Sequence, residues 1–574
     1  MTRQTPDPSP ERAAAGVSYA EAPLRAPAQV MRLSRLGSLH QCRLSFMRQL
    51  TRRMALEGWH FTRTAFEVDA SGVGHAVYTA TGPDRSYSLV AFAHDLPDHL
   101  RSDRVIAEAW DATFTLFDGV PGTEDIARLS RNVPVQEAGR ISESELSLSR
   151  ANRSVRLWTH VVDRLAAGQQ PDAGMIAEVG YLMRTTAVYG SGKFGAADRE
   201  VIAGRAEMAA PFQAEMLSVY LTRWFVRDMV EHMARMKGGA RAVRLEPGLA
   251  RRLGIGNSTG LGMAPFLVNH PMLVNNWILV RETALARVRA LPRAAPEEIA
   301  LFRDLLARSA RALDHWRTEH PVQLAKLAAL KADLATLLAK ASTDLGRDHP
   351  WDRLITWAEG ALSPEGQELL VSLVLEPYGP LVDGLGPCMA AVEEAGFRID
   401  GAMTLAQLAA LIEAHYPWAL TTDWSAPAAT ARAWYVSEEK LEPRLGERAE
   451  EPIEPYEQPL GPGRDAARLH AALAGWPGDT TLATFLLHHP EHRHTARRVQ
   501  IAAKAPYGEL RDNTLAAEML PIDMLRAKLS FFGATSFDPR SDRWIRITMF
   551  AGAPYPPELD STNADFWVYP EATA

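Results

Sequence analysis

The sequence contains few of the residues and segments that mark secreted, metal-binding or membrane proteins. Only two of its 574 residues are cysteine, Cys42 and Cys388, and they lack the CxxC spacing of a thiolate zinc site. No apolar run approaches the roughly 18 residues that span a bilayer, and the N-terminus is polar where a signal peptide needs an apolar core. We therefore expect a cytoplasmic protein without disulfides and without membrane association.

The chain also lacks an excess of positive charge. Its formal net charge is -7 at pH 7 and its pI is about 6.2, which disfavours binding to nucleic acid through bulk attraction. With 47% hydrophobic and 23% charged residues, the composition is that of an ordinary globular protein. We expect a small-molecule partner and no nucleic acid. A homo-oligomer remains open, and the sequence identifies no cofactor.

Hydrophobic periodicity predicts an α+β fold dominated by helices. We expect an amphipathic N-terminal helix over 31–56, packed on a small antiparallel sheet with strands near 59–68, 73–80, 86–94 and 112–117. Long helices are predicted over 211–237, 271–289, 296–319 and 321–345. The predicted divisions are a disordered tail (1–28), an α+β sheet domain (29–142), a helical body (143–436), an acidic Pro-rich loop or linker (437–463) and a mixed C-terminal part (464–574).

The most informative segment runs from Gly254 to Gly262 and contains four glycines and three small polar residues. Glycine allows the backbone to adopt positive φ, and small polar side chains can hydrogen-bond a ligand, so we predict a ligand loop. The alternative is a tight connection between two helices. No lysine follows the last glycine, so the loop is not a P-loop. Its predicted ligand-binding residues are Gly256, Asn257, Thr259, Gly260 and Gly262.

A second glycine-rich turn, Gly190 to Gly195, matches the GxGxxG pattern literally, which is a weak signal in a chain with 39 glycines. Arg184 and Lys193 flank this turn and can clamp a carboxylate or a phosphate, although surface cations beside a helix end are the alternative. We predict that the 184–195 turn and the 254–271 loop face one pocket.

Asn269 and His270 precede Pro271, the first residue of a predicted helix. They suit an N-cap, but His270 is also a candidate acid or base, because its ordinary pKa lies near neutrality. Ser258 is the second candidate for proton transfer or nucleophilic work. Asn276 lies within the helix and is predicted to bind a specific partner or the ligand.

Two further patterns bear on chemistry. The histidines between His488 and His494 suggest a metal, but Pro490 breaks the helical spacing that such ligands need, and no metal site is predicted. Met263, Pro265, Asn269 and Pro271 follow the order of a signature loop in the fumarase and aspartase family. The spacing differs and the lysine is missing, so the similarity only keeps elimination among the possible reactions.

These patterns favour an enzyme that acts on a small carboxylate- or phosphate-bearing metabolite by acid–base or elimination chemistry. One alternative is a non-catalytic binding or assembly protein, in which the sheet and the acidic loop are contact surfaces. The other is a nucleotide-dependent enzyme that uses the Gly190–Gly195 turn.

Overall fold

The computed structural model describes residues 19–32, 35, 38, 40–95, 110–136, 139–188, 202, 204–260, 270–314, 321–390, 397–426, 462–511, 527–538, 544–565 and 567. They form the helix-dominated α+β structure that the sequence pattern predicts. The strands are His60–Val68 (β1), Gly74–Thr81 (β2), Ser86–Ala93 (β3), Ala112–Asp118 (β4), Glu145–Arg153 (β5), Tyr181–Thr185 (β6), Gly254–Gly260 (β7), Ser536–Asp538 (β8) and Trp544–Met549 (β9).

All nine of these strands belong to one sheet, with the spatial order β1-β2-β3-β4-β5-β6-β7-β9-β8. Each neighbouring pair is antiparallel except β6 and β7, which are parallel. The four predicted N-terminal strands coincide closely with β1 to β4, but they are four of the nine strands of this sheet and not a sheet of their own. Alternation of apolar and polar residues within a segment predicts a strand. Which strands pair with it depends on distant parts of the chain.

Helices surround the sheet and extend beyond it. Those of six residues or more are Phe46–Leu56 (α1), Thr123–Asn132 (α2), Trp158–Ala166 (α3), Ala173–Val179 (α4), Gln213–Gly238 (α5), Pro247–Arg252 (α6), Pro271–Arg289 (α7), Pro296–Asp314 (α8), Pro321–Asp344 (α9), Pro350–Ala361 (α10), Pro364–Val374 (α11), Leu405–His415 (α12), Pro462–Leu473 (α13), Leu482–His488 (α14) and Arg493–Lys504 (α15). Several begin with proline, whose missing N–H would have no partner in the first turn of a helix.

The predicted N-terminal helix is shorter than its hydrophobic pattern suggests. It begins at Phe46 and not at residue 31, because tertiary contacts hold the preceding backbone in another conformation. The amide of Cys42 donates to the carbonyl oxygen of Ser530 at 3.0 Å, and Arg43 pairs with Asp383 at 2.8 Å. A hydrophobic pattern is local in the sequence, so it cannot predict contacts with such distant residues.

Three hydrophobic clusters form the core. The largest lies between one face of the sheet and helices that include α5, where Tyr78 and Phe225 make an edge-on contact across the predicted boundary at residue 142. A small cluster around Phe92 and Leu129 covers the other face of the sheet beneath α2. The third cluster draws its buried residues from 405–502 and unites α12 to α15 around Leu408.

Candidate functional site

The glycine-rich stretch that was predicted to be a loop is a strand over the residues that the structure describes. Gly254–Gly260 forms β7, which pairs in parallel with β6 and antiparallel with β9. The loop prediction is wrong for these residues. It failed because glycine disfavours strands in general, although glycine also occurs in strands where another group approaches the backbone closely.

Small size, and not backbone freedom, explains Gly254 and Gly256 in β7. A Cβ on Gly256 would lie 2.7 Å from the aromatic ring of Tyr181, and a Cβ on Gly254 would overlap the carbonyl oxygen of Met549. Neither glycine has a positive φ. Both positions therefore allow neighbouring strands and side chains to pack closely.

The parallel pair places Arg184 beside the glycine-rich strand. Arg184 of β6 is the Cα partner of Gly256 in β7, although 72 positions of sequence separate the two. β6 ends at Thr185, the residue after Arg184, whereas β7 continues past Gly256 to Gly260 along β9. The structure thus brings together the described parts of the two segments that were predicted to share a pocket.

These residues divide between the two faces of the sheet. Consecutive side chains of a strand point to opposite faces, so Asn257 lies on the face opposite to Gly256 and its partner Arg184. The ring of Tyr181 packs over Gly256, and the register of β6 shifts between Tyr181 and Arg184. A ligand that contacts both Arg184 and Asn257 must therefore lie across the carboxyl edge of the two strands.

Asn257 is buried and fixed by the end of β6. Its Nδ2 donates to the carbonyl oxygens of Thr185 at 2.9 Å and Val188 at 3.2 Å. Its Oδ1 accepts a hydrogen bond of 3.2 Å from Nζ of Lys528. Because the carbonyl oxygens of Thr185 and Val188 bind Nδ2, Oδ1 of Asn257 points to Lys528.

Lys528 is a candidate functional residue that the sequence analysis missed. Its side chain is buried, and Nζ also donates to the carbonyl oxygen of Val188 at 3.2 Å. Both described partners are neutral oxygens, and burial lowers the pKa of Lys528 to about 7. The signal in the sequence is a lone lysine within the apolar stretch Ala-Lys-Leu-Ser-Phe-Phe.

The backbone and the surroundings of Lys528 are also unusual. Lys528–Phe532 is a π-helical turn, a rare geometry that is frequent at functional sites. The ring of Phe532 lies 5.6 Å from Nζ and 4.7 Å from the ring of Phe212. Phe212 has a φ of 58°, a left-handed conformation that costs a bulky residue about 1–2 kcal/mol. Strained residues of this kind cluster at functional sites.

The backbone of His270 and the side chain of Asn276 make structural hydrogen bonds at α7. The backbone of His270 caps the helix, and its carbonyl oxygen accepts from the amide of Val274 at 3.0 Å, whereas its side chain makes no capping hydrogen bond. Asn276 is buried and donates to the carbonyl oxygen of Ala390 at 2.9 Å. A protein group therefore supplies the specific partner that Asn276 was expected to have.

The remaining predicted site residues are located by backbone only or lie outside the described residues. In the ladder between β7 and β9, Ser258 pairs with Arg546, Thr259 with Ile545 and Gly260 with Trp544. Outside the described residues lie Lys193, Gly262 and Asn269.

The histidine-rich run belongs to the helical cluster of α12 to α15. The rings of Phe485 and His489 stack at 4.8 Å, and Nδ1 of His489 lies 3.1 Å from Oε1 of Glu491. In the part of the chain that the structure covers, no group of three or more His, Cys, Asp or Glu residues is arranged to hold a metal ion.

No family model, curated protein or solved structure matches this chain. Within the described ranges no single helix is long and apolar enough to cross a membrane, although the bent pair Pro364–Val374 and Gly379–Met389 meets that criterion jointly.

Proposed function

We propose that this protein is an enzyme that binds a small carboxylate- or phosphate-bearing metabolite at the carboxyl edge of β6 and β7 and transforms it by acid–base chemistry. One observation carries the proposal: Arg184 lies beside Gly256 in the one parallel pair of the described sheet. An arginine at the carboxyl end of one strand of a parallel pair combines a positive charge with the place where such strands commonly bind ligands.

Three groups carry the acid–base part of the proposal. Lys528 has a pKa of about 7 and contacts Asn257, the residue that follows Gly256. Ser258 and His270 keep the proton-transfer roles suggested by the sequence as part of this proposal. The alternatives of a nucleotide-dependent enzyme and of an assembly protein that uses the acidic loop depend on 190–195 and 437–461, which lie outside the described residues.

The test measures ligand binding by thermal shift and calorimetry, with inorganic phosphate and pyruvate as probes. Arg184→Gln is expected to weaken the binding of at least one probe tenfold or more, because it removes the cation. Arg156→Gln is the matched control, since Arg156 forms an exposed pair with Glu178 at 2.8 Å. Equal affinity in the wild type, R184Q and R156Q would overturn the proposal.

A further inference from the structure

We propose that Lys528 is a nucleophilic amine that condenses with the carbonyl group of an aldehyde or ketone substrate. This inference deepens the proposed function and rests on it for the anionic part of the substrate. The substrate class is then a small carbonyl compound that carries a carboxylate or a phosphate.

The hydrogen bonds around Nζ suit an uncharged amine. A neutral amine has two N–H groups and one lone pair, and Nζ has two described acceptors, Val188 O and Asn257 Oδ1, each at 3.2 Å. Buried lysines whose role is structural usually pair with a carboxylate, because an isolated buried ammonium is costly. The described partners of Lys528 are both neutral, which leaves the lone pair for reaction.

The surroundings of Nζ are apolar, and burial among them disfavours the charged form. The ring of Phe532 lies 5.6 Å from Nζ, and Phe212 and Phe46 pack against that ring at 4.7 and 5.1 Å between centroids. Desolvation by apolar neighbours is one of the ways in which enzymes activate a lysine as a nucleophile. The lowered pKa of Lys528, about 7, agrees with this environment.

The chemical step is a condensation without oxidation or reduction. The amine nitrogen attacks the carbonyl carbon, forming a C–N bond as the C=O π bond breaks. The resulting carbinolamine loses its oxygen as water, which carries away both hydrogens of the amine and leaves a C=N bond. Asn257 acts as a positioning residue, because its Oδ1 accepts a hydrogen bond from the amine until that hydrogen leaves with the water.

The test uses the full-length protein with glyoxylate, glycolaldehyde phosphate or uncharged glycolaldehyde, followed by sodium cyanoborohydride and peptide mass spectrometry. We expect a reduced adduct on Lys528 at pH 7 with at least one charged aldehyde, and slower labelling by glycolaldehyde. The labelling rate of Lys528 should reach half its maximum near pH 7, whereas an ordinary lysine titrates near 10.5. The two charged probes distinguish a carboxylate site from a phosphate site.

Matched variants make the result specific. Lys528→Met should abolish this adduct, and Lys237→Met, which alters an exposed lysine, should leave it unchanged. Asn257→Asp places a carboxylate beside Nζ and should raise the pKa of the amine, so that labelling at pH 7 falls about tenfold or more and recovers at higher pH.

Labelling of exposed lysines without labelling of Lys528 would overturn the inference. A labelling rate of Lys528 that reaches half its maximum only near pH 10 would also overturn it. Both results come from the wild-type protein and do not depend on the folding of a variant. The two proposals fail separately. If Lys528 is labelled equally in the wild type and in R184Q by all three aldehydes, the amine is reactive but the anion site is wrong. If R184Q loses phosphate or pyruvate binding and Lys528 is never labelled, the anion site stands without the nucleophile.

Discussion

Arg48 and Glu376, which are 328 positions apart, form a buried ion pair with two hydrogen bonds of 2.6 and 2.7 Å. Arg48 also contacts Asp565 at 2.7 Å, and His40 contacts Glu376 at 3.1 Å. Arg48 and Arg52 of α1 are therefore salt-bridged inside the protein. They join the N-terminal helix to α11 and to the end of the chain.

The first prediction concerns the loss of this pair. Glu376→Gln should lower the free energy of unfolding by about 3–5 kcal/mol, because it leaves the buried Arg48 without its main counter-charge. Glu178→Gln, in the exposed pair with Arg156, should change it by less than about 1 kcal/mol. Urea denaturation of both variants tests the difference, and equal effects would contradict burial of the pair.

The second prediction concerns acid. Burial tends to raise the pKa of Glu376, but the charge of Arg48 and the hydrogen bonds from His40 and Arg48 outweigh burial and lower the pKa from 4.5 to about 2. A carboxyl group with a depressed pKa in the folded state stabilises the protein above its unfolded pKa and loses that effect as the pH falls through the folded value. The stability difference between wild type and E376Q should therefore shrink between pH 4.5 and pH 2. A constant difference would show that the pair does not titrate in this way.

The third prediction tests the close packing of β7. Gly256→Ala should cost about 1–3 kcal/mol, because the new Cβ would meet the ring of Tyr181 at 2.7 Å. Gly360 lies within α10 and has open space around it, so Gly360→Ala should stabilise the protein by about 0.5–1 kcal/mol. Thermal and urea unfolding of the two variants should give opposite signs. If Gly256→Ala left the stability unchanged, the Tyr181 ring would lie farther from β7 than the structure shows.

The fourth prediction uses two left-handed backbone positions. His349 is exposed, with φ 49° and ψ 55°, so His349→Gly should raise the free energy of unfolding by about 0.5–1 kcal/mol. Gly180 ends α4 with a φ of 76°, and Gly180→Ala should lower stability by about 1 kcal/mol. Denaturant titrations measure both changes, and destabilisation by H349G would refute the argument from strain.

The fifth prediction concerns the pH dependence that burial of Lys528 imposes. Its pKa falls from 10.5 to about 7 on folding, so between these values the unfolded chain binds more protons and stability rises with pH. Wild-type stability relative to Lys528→Met should increase by about 1.4 kcal/mol per pH unit from pH 7.5 to 9.5. Urea titrations at several pH values test this. A difference that does not vary with pH would mean that the amine is solvated.

The sequence determined the elements whose signals are local. The helix Pro271–Arg289 agrees with its predicted bounds, and α5 agrees within a few residues, because proline starts and the spacing of apolar residues act within a few turns. Strands β1 to β4 were located for the same reason. For the candidate site, the sequence identified Arg184, Gly256 and Asn257 as residues of interest, but it assigned Gly256 and Asn257 to a ligand loop and Arg184 to the flank of a separate glycine-rich turn.

Only the tertiary structure decided what those residues do. β7 is a strand because β6 and β9 pair with it on both sides, and its own glycine-rich sequence does not favour that conformation. Asn257 meets Lys528 across 271 positions of sequence, and the low pKa of that lysine arises from burial among residues brought from distant parts of the chain. Pairing and desolvation are properties of the assembled fold, so a local pattern could not predict them.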